Sequence, residues 1–406
     1  MKKTFTVVSL FILSLGLQAQ LVADQVTLNA GYSQQVWYSM ANGEVGAADN
    51  TNWDIAFLTE GQNSSILIND NISTAIYLYS EDIADYANVD TTGFVGEGLN
   101  NDEVDWTQGV MQQLSTPNAF DYGWGVYNPS SNLLEGSKVF LVEFASGEMK
   151  KLIIEELNFG TYNFKYADVD GTNEVEASID VTAYSSKNFV YYSMQNQEVL
   201  DREPVSADWD ITFTRFDALV APEQLYTVTG VNQNIGVEVA QASETPLDMA
   251  VYTDFDFEAD KNIIGDDWKY FDMTLLQFII VEDLSFFVKD QSGDVYHMAF
   301  TSFGGQMTGD IEFGTAFVAA TSITEEQSIS FGMYPNPASS EVSLVLPASS
   351  TSADLVIRNL TGSLVARHTL LPNSIQTLNI SDLASGSYIL ELRMDGQYGI
   401  QRLIVD

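Results

Sequence analysis

Two aspartates stand in the same setting, Trp53-Asp54-Ile55 and Trp209-Asp210-Ile211. A carboxylate between large apolar residues has two uses. It can trade protons, which needs a second acid or a histidine close by. Or it can accept hydrogen bonds from a neighbouring turn or loop. Neither copy brings a partner acid or histidine with it, so the anchoring role is the one these residues favour. Asp168-Val169-Asp170-Gly171-Thr172-Asn173-Glu174 has the beginnings of a calcium loop. It lacks a third acid before the glycine and a bidentate glutamate at the right distance, and reads as a polar linker turn. Gly123-Trp124-Gly125-Val126-Tyr127 could turn an aromatic face to a sugar, although a tryptophan in a strand is more often buried. The chain has no cysteine and two histidines. It holds no H-E-x-x-H, no phosphate loop and no G-x-S-x-G in a strand–turn–helix context. Thiolate nucleophiles and most zinc mechanisms are therefore out of reach. No spacing of paired acids points to glycoside hydrolysis. The expectation is a protein that is not an enzyme.

The elements that carry these residues are strands. Few stretches have helical periodicity, whereas Tyr, Phe, Val, Ile and Thr alternate over short runs broken by turn residues. The fold class is all-β, with antiparallel sheets. In Trp53-Asp54-Ile55-Ala56-Phe57, strand alternation puts Trp53, Ile55 and Phe57 on one face and Asp54 with Ala56 on the other.

The body is written twice. Val36 to Val45 reads VWYSMANGEV and is followed by NWDIAF. Val190 to Val199 reads VYYSMQNQEV and is followed by DWDITF. Later hairpins also correspond: Val139 to Ile154 with Leu284 to Phe300. Each unit then closes on Gly160-Thr161-Tyr162-Asn163-Phe164 or Gly309-Asp310-Ile311-Glu312-Phe313. A period this long suits a duplicated domain rather than a solenoid.

The ends of the chain read differently. Met1-Lys2-Lys3, an apolar run from Phe5 to Leu17 and Leu17-Gln18-Ala19 make a signal peptide cleaved after Ala19. The run is too short to span a bilayer comfortably, and no transmembrane segment is expected in the mature chain. Without cysteine there is no lipid attachment. Near the other end, Tyr334-Pro335-Asn336-Pro337 is an extended stretch that cannot join a central strand. A strand–turn–strand with its turn at Gly362 follows. Then come Leu383, Gly386 and Tyr388 in a strand, and Arg402 in a basic, apolar terminus. In that order these residues resemble the type A C-terminal sorting domain of the type IX (Por) secretion system of Bacteroidota. The resemblance implies export to the periplasm and then across the outer membrane. The protein would be extracellular or attached to the cell surface, with the type IX machinery as a partner. The chain is thus parsed as signal peptide 1–19, first β domain 20–175, second β domain 176–320, linker 321–330 and sorting domain 331–406.

Lys and Arg total 16 against 56 acids, a net charge of −40, nearly all of it in the body. Such a surface repels phosphate backbones and excludes nucleic acid as a partner. The acids are scattered, which suits solubility in salty surroundings better than divalent-cation sites.

In the body, the W-D-I step, a strand ending in Asn (Ile66-Leu67-Ile68-Asn69), a late hairpin with Gly147 and Lys151-Leu152, and the G-x-x-x-F close together resemble the HmuY-like haem-binding family, in two copies. The resemblance implies two related antiparallel β domains and a non-enzymatic binding protein. Its ligand would be a hydrophobic small molecule, a tetrapyrrole or a surface partner; a structural or adhesive role is the alternative. Haem in that family is held by His or Met. The residues that could serve here are Met273, His297 and Met298, a poor supply. His297 takes the place of Lys151 and is expected at the surface, and His368 falls in the tail as an exposed strand residue.

Overall fold

In a computed structural model of the chain the described residues are 21–59, 64–221, 224–320, 331–346, 353–359, 364–371, 375–381, 383–394 and 397–405. The expected signal peptide, the linker 321–330 and Gly362 lie outside them. The chain divides into two compact units at Ala319/Ala320. Both are built from antiparallel strands, joined by turns and short 3-10 helices.

The first repeat opens with β1 (Val22–Thr27), β2 (Gln34–Ser39) and β3 (Gly43–Asp49). Its W-D-I segment leads into β4 (Ile55–Leu58), then β5 (Ile66–Ile68), β6 (Ala75–Ser80) and β7 (Gly98–Leu99). It ends with β8 (Gly125–Asn128), β9 (Leu133–Gly136), β10 (Val139–Glu143), β11 (Met149–Asn158) and β12 (Thr161–Asp168). The second repeat starts again with β13 (Val175–Asp180), β14 (Phe189–Ser193) and β15 (Glu198–Leu200). Its W-D-I segment leads into β16 (Ile211–Ala221), then β17 (Gln224–Gln233), β18 (Glu238–Ala242), β19 (Lys269–Asp272) and β20 (Gln277–Ile280). It closes with β21 (Ser285–Lys289), β22 (Asp294–Phe303) and β23 (Asp310–Ala320).

The pairing of these strands does not follow the repeats. The first repeat's β2 pairs with β16 of the second, Tyr38 opposite Ile211. The second repeat's β14 pairs with β4 of the first, Tyr192 opposite Ile55. At the outer edges β1 runs beside β23 and β13 beside β12. One lobe is therefore β4–β15, continuous in the chain. The other is β16–β23 completed by β1–β3 from the far end of the body. The boundary expected at 175/176 falls inside β13, which is bonded to β12 from Tyr166↔Val175 to Thr161↔Asp180. Together the lobes make one compact unit.

Each lobe is a sandwich of a four-stranded sheet on a larger one. In the first, the sheet β15-β14-β4-β5 packs Ile55, Phe57, Val190 and Tyr192 against Phe140, Leu152, Ile154 and Phe164 of the larger sheet. In the second, the sheet β17-β16-β2-β3 packs Val36, Tyr38, Ile211 and Phe213 against Phe286, Phe300 and Phe313. Fully buried side chains of this size each contribute roughly 1.5–3 kcal/mol of transfer free energy.

The tail sandwich has the sheets β24 (Gly332–Tyr334), β25 (Glu341–Val345), β28 (Ile375–Asn379) and β26 (Ala353–Asn359), β27 (Leu364–Leu370), β29 (Gly386–Met394), β30 (Gln397–Val405). Its core joins Val342, Leu344 and Leu378 to Leu355, Ile357, Leu390, Leu392 and Leu403.

Candidate functional site

The W-D-I aspartates lock the two lobes' exchanged strands in place. Asp54 Oδ2 accepts hydrogen bonds from Met194 N at 2.7 Å and Gln195 N at 3.3 Å, and Asp54 Oδ1 accepts from Gln195 Nε2 at 3.0 Å. Asp210 Oδ2 accepts from Met40 N at 2.7 Å. The backbones add a second grip, with Asp54 N donating to Tyr192 O and Asp210 N to Tyr38 O. Each carboxylate thus holds the Tyr-Ser-Met turn of the other repeat. Burial raises the pKa of both, that of Asp210 to about 6.

Trp53 and Trp209 sit outside the lobe cores. The strands start at Ile55 and Ile211, so the alternation that would join Trp53 to Ile55 and Phe57 is broken at Asp54, where the chain bends. Trp53 packs with Ala56, Leu58 and Phe189, and its ring stands edge-on to Tyr191 at 4.9 Å. This is the outer face of the first lobe's small sheet, and it meets the outer face of the other lobe's small sheet. There the residues are mostly polar: Gln35, Thr212, Thr214 and Asn232 beside Trp37 and Trp209.

The junction holds a cavity of about 60 Å³ with four tryptophans, Trp37, Trp53, Trp106 and Trp209, in its wall. Arg202 lies against this aromatic cluster, its guanidinium 5.2 Å from the ring of Trp37, 5.8 Å from Trp53 and 4.9 Å from Tyr191. It bridges the lobes by donating to Gln35 Oε1 at 2.8 Å and to the carbonyl of Asp49 at 2.9 Å. Its neighbour Glu203 is buried and accepts from Tyr191 Oη at 2.8 Å and Asn188 N at 2.9 Å. Burial lifts Glu203 to about 7, which the two hydrogen bonds and Arg202 only partly offset. Asp70 is lifted to about 7 by burial and by Asp217. Lys261 stands over Trp106 at 4.7 Å, donates to the carbonyl of Asp102, and has its pKa lowered by burial.

Two buried atoms in the cavity wall have no protein partner, Trp209 Nε1 and Asn232 Oδ1. A donor and an acceptor beside a space of this size, in an otherwise largely aromatic wall, suit a few ordered waters or a very small solute. A ligand of drug size needs roughly 300–1,000 Å³. Sequence reasoning missed Arg202 and Glu203 because Asp201-Arg202-Glu203-Pro204 reads as a charged surface loop. The available signal was an arginine beside a glutamate in a chain with 16 Lys and Arg against 56 acids.

The three haem-ligand candidates do not converge. Met298 is buried in the second lobe's core, opposite Phe286. His297, next to it on β22, faces the other side of the sheet. It is buried rather than at the surface, and stacks on Phe287 with ring centroids 4.5 Å apart. An aromatic neighbour gives the imidazole an apolar bed, and burial lowers its pKa. Met273 is exposed beyond the end of β19. None of the three lines the junction cavity. Among the described residues no cluster of His, Asp and Glu could hold a metal ion, and no helix is long and apolar enough to cross a membrane. The Asp168–Glu174 segment is a hairpin turn between β12 and β13. Asp168 pairs there with Lys150 at 2.6 Å and accepts from Asn173. Trp124 is buried, its indole donating to Ser64 O. Lys151 is buried too, donating to Tyr86 O at 2.9 Å. His368 is half-buried on β27.

In the tail, Asn336 is a clamp on the last strand. Its Nδ2 donates to Arg402 O and its Oδ1 accepts from Ile404 N, both at 2.8 Å. Ala338 N also donates to Ile404 O. Tyr388 Oη donates to Ala384 O at 2.8 Å. The Tyr334-Pro335-Asn336-Pro337 stretch and Arg402 are therefore neighbours. Leu383 packs at the edge of the tail core, and Gly386 opens β29.

Residues 332–406 match the family described as Secretion system C-terminal sorting domain. No curated protein matches the chain.

Proposed function

We propose that this protein is a non-enzymatic binding protein, exported through the type IX secretion machinery and displayed on or released from the cell surface. The observation that carries the reading is the sorting-domain match over 332–406, supported by the clamp through which Asn336 fixes the terminal strand. Within the body, Asp54, Asp210 and Glu203 are engaged as acceptors for the protein's own amides and a phenol. That is structural work, and it argues against catalysis by these groups. The junction cavity is far too small for a tetrapyrrole. Recognition is therefore assigned to the outer surface rather than to the junction cavity. Deleting residues 331–406 tests the export step. The truncated protein should accumulate in the periplasm, and its arrival outside the cell would refute the reading.

A further inference from the structure

The first lobe has a groove that its fold does not explain. Strand β9 lies against the end of β11, with Leu134 opposite Leu157. This sets the β8–β9 hairpin beside the two-residue turn Phe159-Gly160 that joins β11 to β12. The space between them measures about 560 Å³, within the range of a small-ligand site. Phe120, Tyr122, Tyr127 and Phe159 line it over a floor that includes Leu134 and Leu157. The rings of Phe120 and Tyr127 lie 5.9 Å apart, and Tyr127 Oη donates to Asn132 Oδ1 at 2.6 Å.

Phe159 is the informative residue. Its φ is +47°, followed by +84° at Gly160. Both residues are left-handed, the pattern of a turn that favours Asn-Gly. A bulky aromatic there strains the backbone. The side chain is also 83% exposed. Neither feature helps the fold, and an outlier of this kind at the rim of a groove points to a ligand.

The lining also indicates the ligand's chemistry. It contains no charged residue, in a body whose net charge is close to that of the whole chain, −40. A charged ligand would find no counter-ion there. Aromatic faces alternate with phenol and amide groups from Tyr122, Tyr127 and Asn132. A pyranose ring matches this, with flat C–H faces for the aromatics and hydroxyls for the polar groups. We propose that this groove binds a short stretch of a neutral glycan, Phe159 and Tyr127 stacking on the sugar rings. The proposal rests on the reading of the protein as a surface binding protein.

The test is affinity electrophoresis of the purified mature protein in gels containing neutral polysaccharides (a β-glucan, a xylan and a mannan), followed by calorimetry with oligosaccharides of any that retard it. At least one should bind, and raising the salt should leave the affinity unchanged because no charge pair is involved. Phe159→Ala and Tyr127→Ala should each weaken binding about tenfold. Phe159→Asn should weaken it similarly while raising the melting temperature by about 1–3 °C, since Asn tolerates the left-handed turn. That variant separates loss of binding from loss of folding. Failure of all three polysaccharides, binding abolished by salt, or unchanged affinity in the Phe159 and Tyr127 variants would each overturn the proposal. So would self-association that Phe159→Asn abolishes, which would make the groove a contact between copies. Secretion is not measured here, so this assay and the tail deletion fail independently.

Discussion

Asp54 accepts the amide of Met194 at 2.7 Å, and Asp210 accepts the amide of Met40 at the same distance. The two bonds are one arrangement used twice, each crossing from one repeat to the other. Removing either carboxylate leaves a buried amide without its acceptor. Asp54→Ala and Asp210→Ala should each destabilise the body by about 2 kcal/mol. Asp→Asn should recover part of that, because the side-chain carbonyl can still accept. Urea denaturation of the purified body measures this. An effect of only a few tenths of a kcal/mol would mean that the exchanged strands are held by packing alone.

The exchange also predicts what truncation does. A chain that starts at residue 50 lacks β1–β3, and with them the partners of β23 (β1) and β16 (β2). Residues 211–320 should then become protease-sensitive, while 51–203 stay resistant. A peptide covering 21–49, added in trans, should restore protection. Equal sensitivity of both regions would contradict the lobe assignment.

Buried carboxylates set the pH response. Asp210 titrates at about 6 and Asp70 and Glu203 at about 7, whereas ordinary acids titrate near 4. Between those limits these three carboxyls hold more protons in the folded protein than in the unfolded chain, while His297, lowered by burial, works the other way. Stability from the three carboxyls is therefore present at low pH and falls as pH rises through roughly 4 to 7. Asp90 and Asp170 are shifted downward by the hydroxyls of Thr92 and Thr172, and their contribution is lost only below the ordinary range. Self-repulsion at high net charge acts in the same direction as the buried acids. The urea midpoint should be higher at pH 5 than at pH 8, with a smaller difference in Glu203→Gln and Asp70→Asn. A midpoint that rises with pH would be the wrong sign.

Arg202 is predicted to hold the junction together. Arg202→Met keeps much of the stem but removes the bonds to Gln35 and Asp49 and the cation beside Glu203. A loss of about 2–4 kcal/mol is expected, with Glu203 pushed higher still and a change in tryptophan emission from Trp37 and Trp53. Arg202→Lys should rescue little, because a point charge cannot reach both lobes as the planar fork does. Full stability in the lysine variant would show that charge alone matters.

The repeats, the strand content and the sorting tail could be read from short patterns, because alternation and turn residues are local. The exchange could not. Tyr192 and Tyr38 stand in nearly identical surroundings, and either could pair with either W-D-I strand. The choice is made by contacts across more than a hundred residues. His297, expected at the surface, is buried for a related reason, and Lys151 at the matching position is buried too. A polar residue in a strand looks like solvent face until the layer above it is known, here Phe287 for one and Tyr86 for the other. Trp53 shows the limit of alternation itself, since one bend at Asp54 reverses which side it serves. Asn336 was legible as part of an extended stretch, but its hold on Ile404 depends on the last strand returning beside it.

Strands β1 and β2 are made early and meet their far partners, β23 and β16, last. The continuous lobe can form once residue 203 has emerged, whereas the other must keep β1 and the free edge of the β2–β3 hairpin unpaired until β16 and β23 arrive. Such high contact order slows folding and leaves bare strand edges waiting in the meantime. The second lobe cannot close before then, since the residues that complete it are made only near the end of the body.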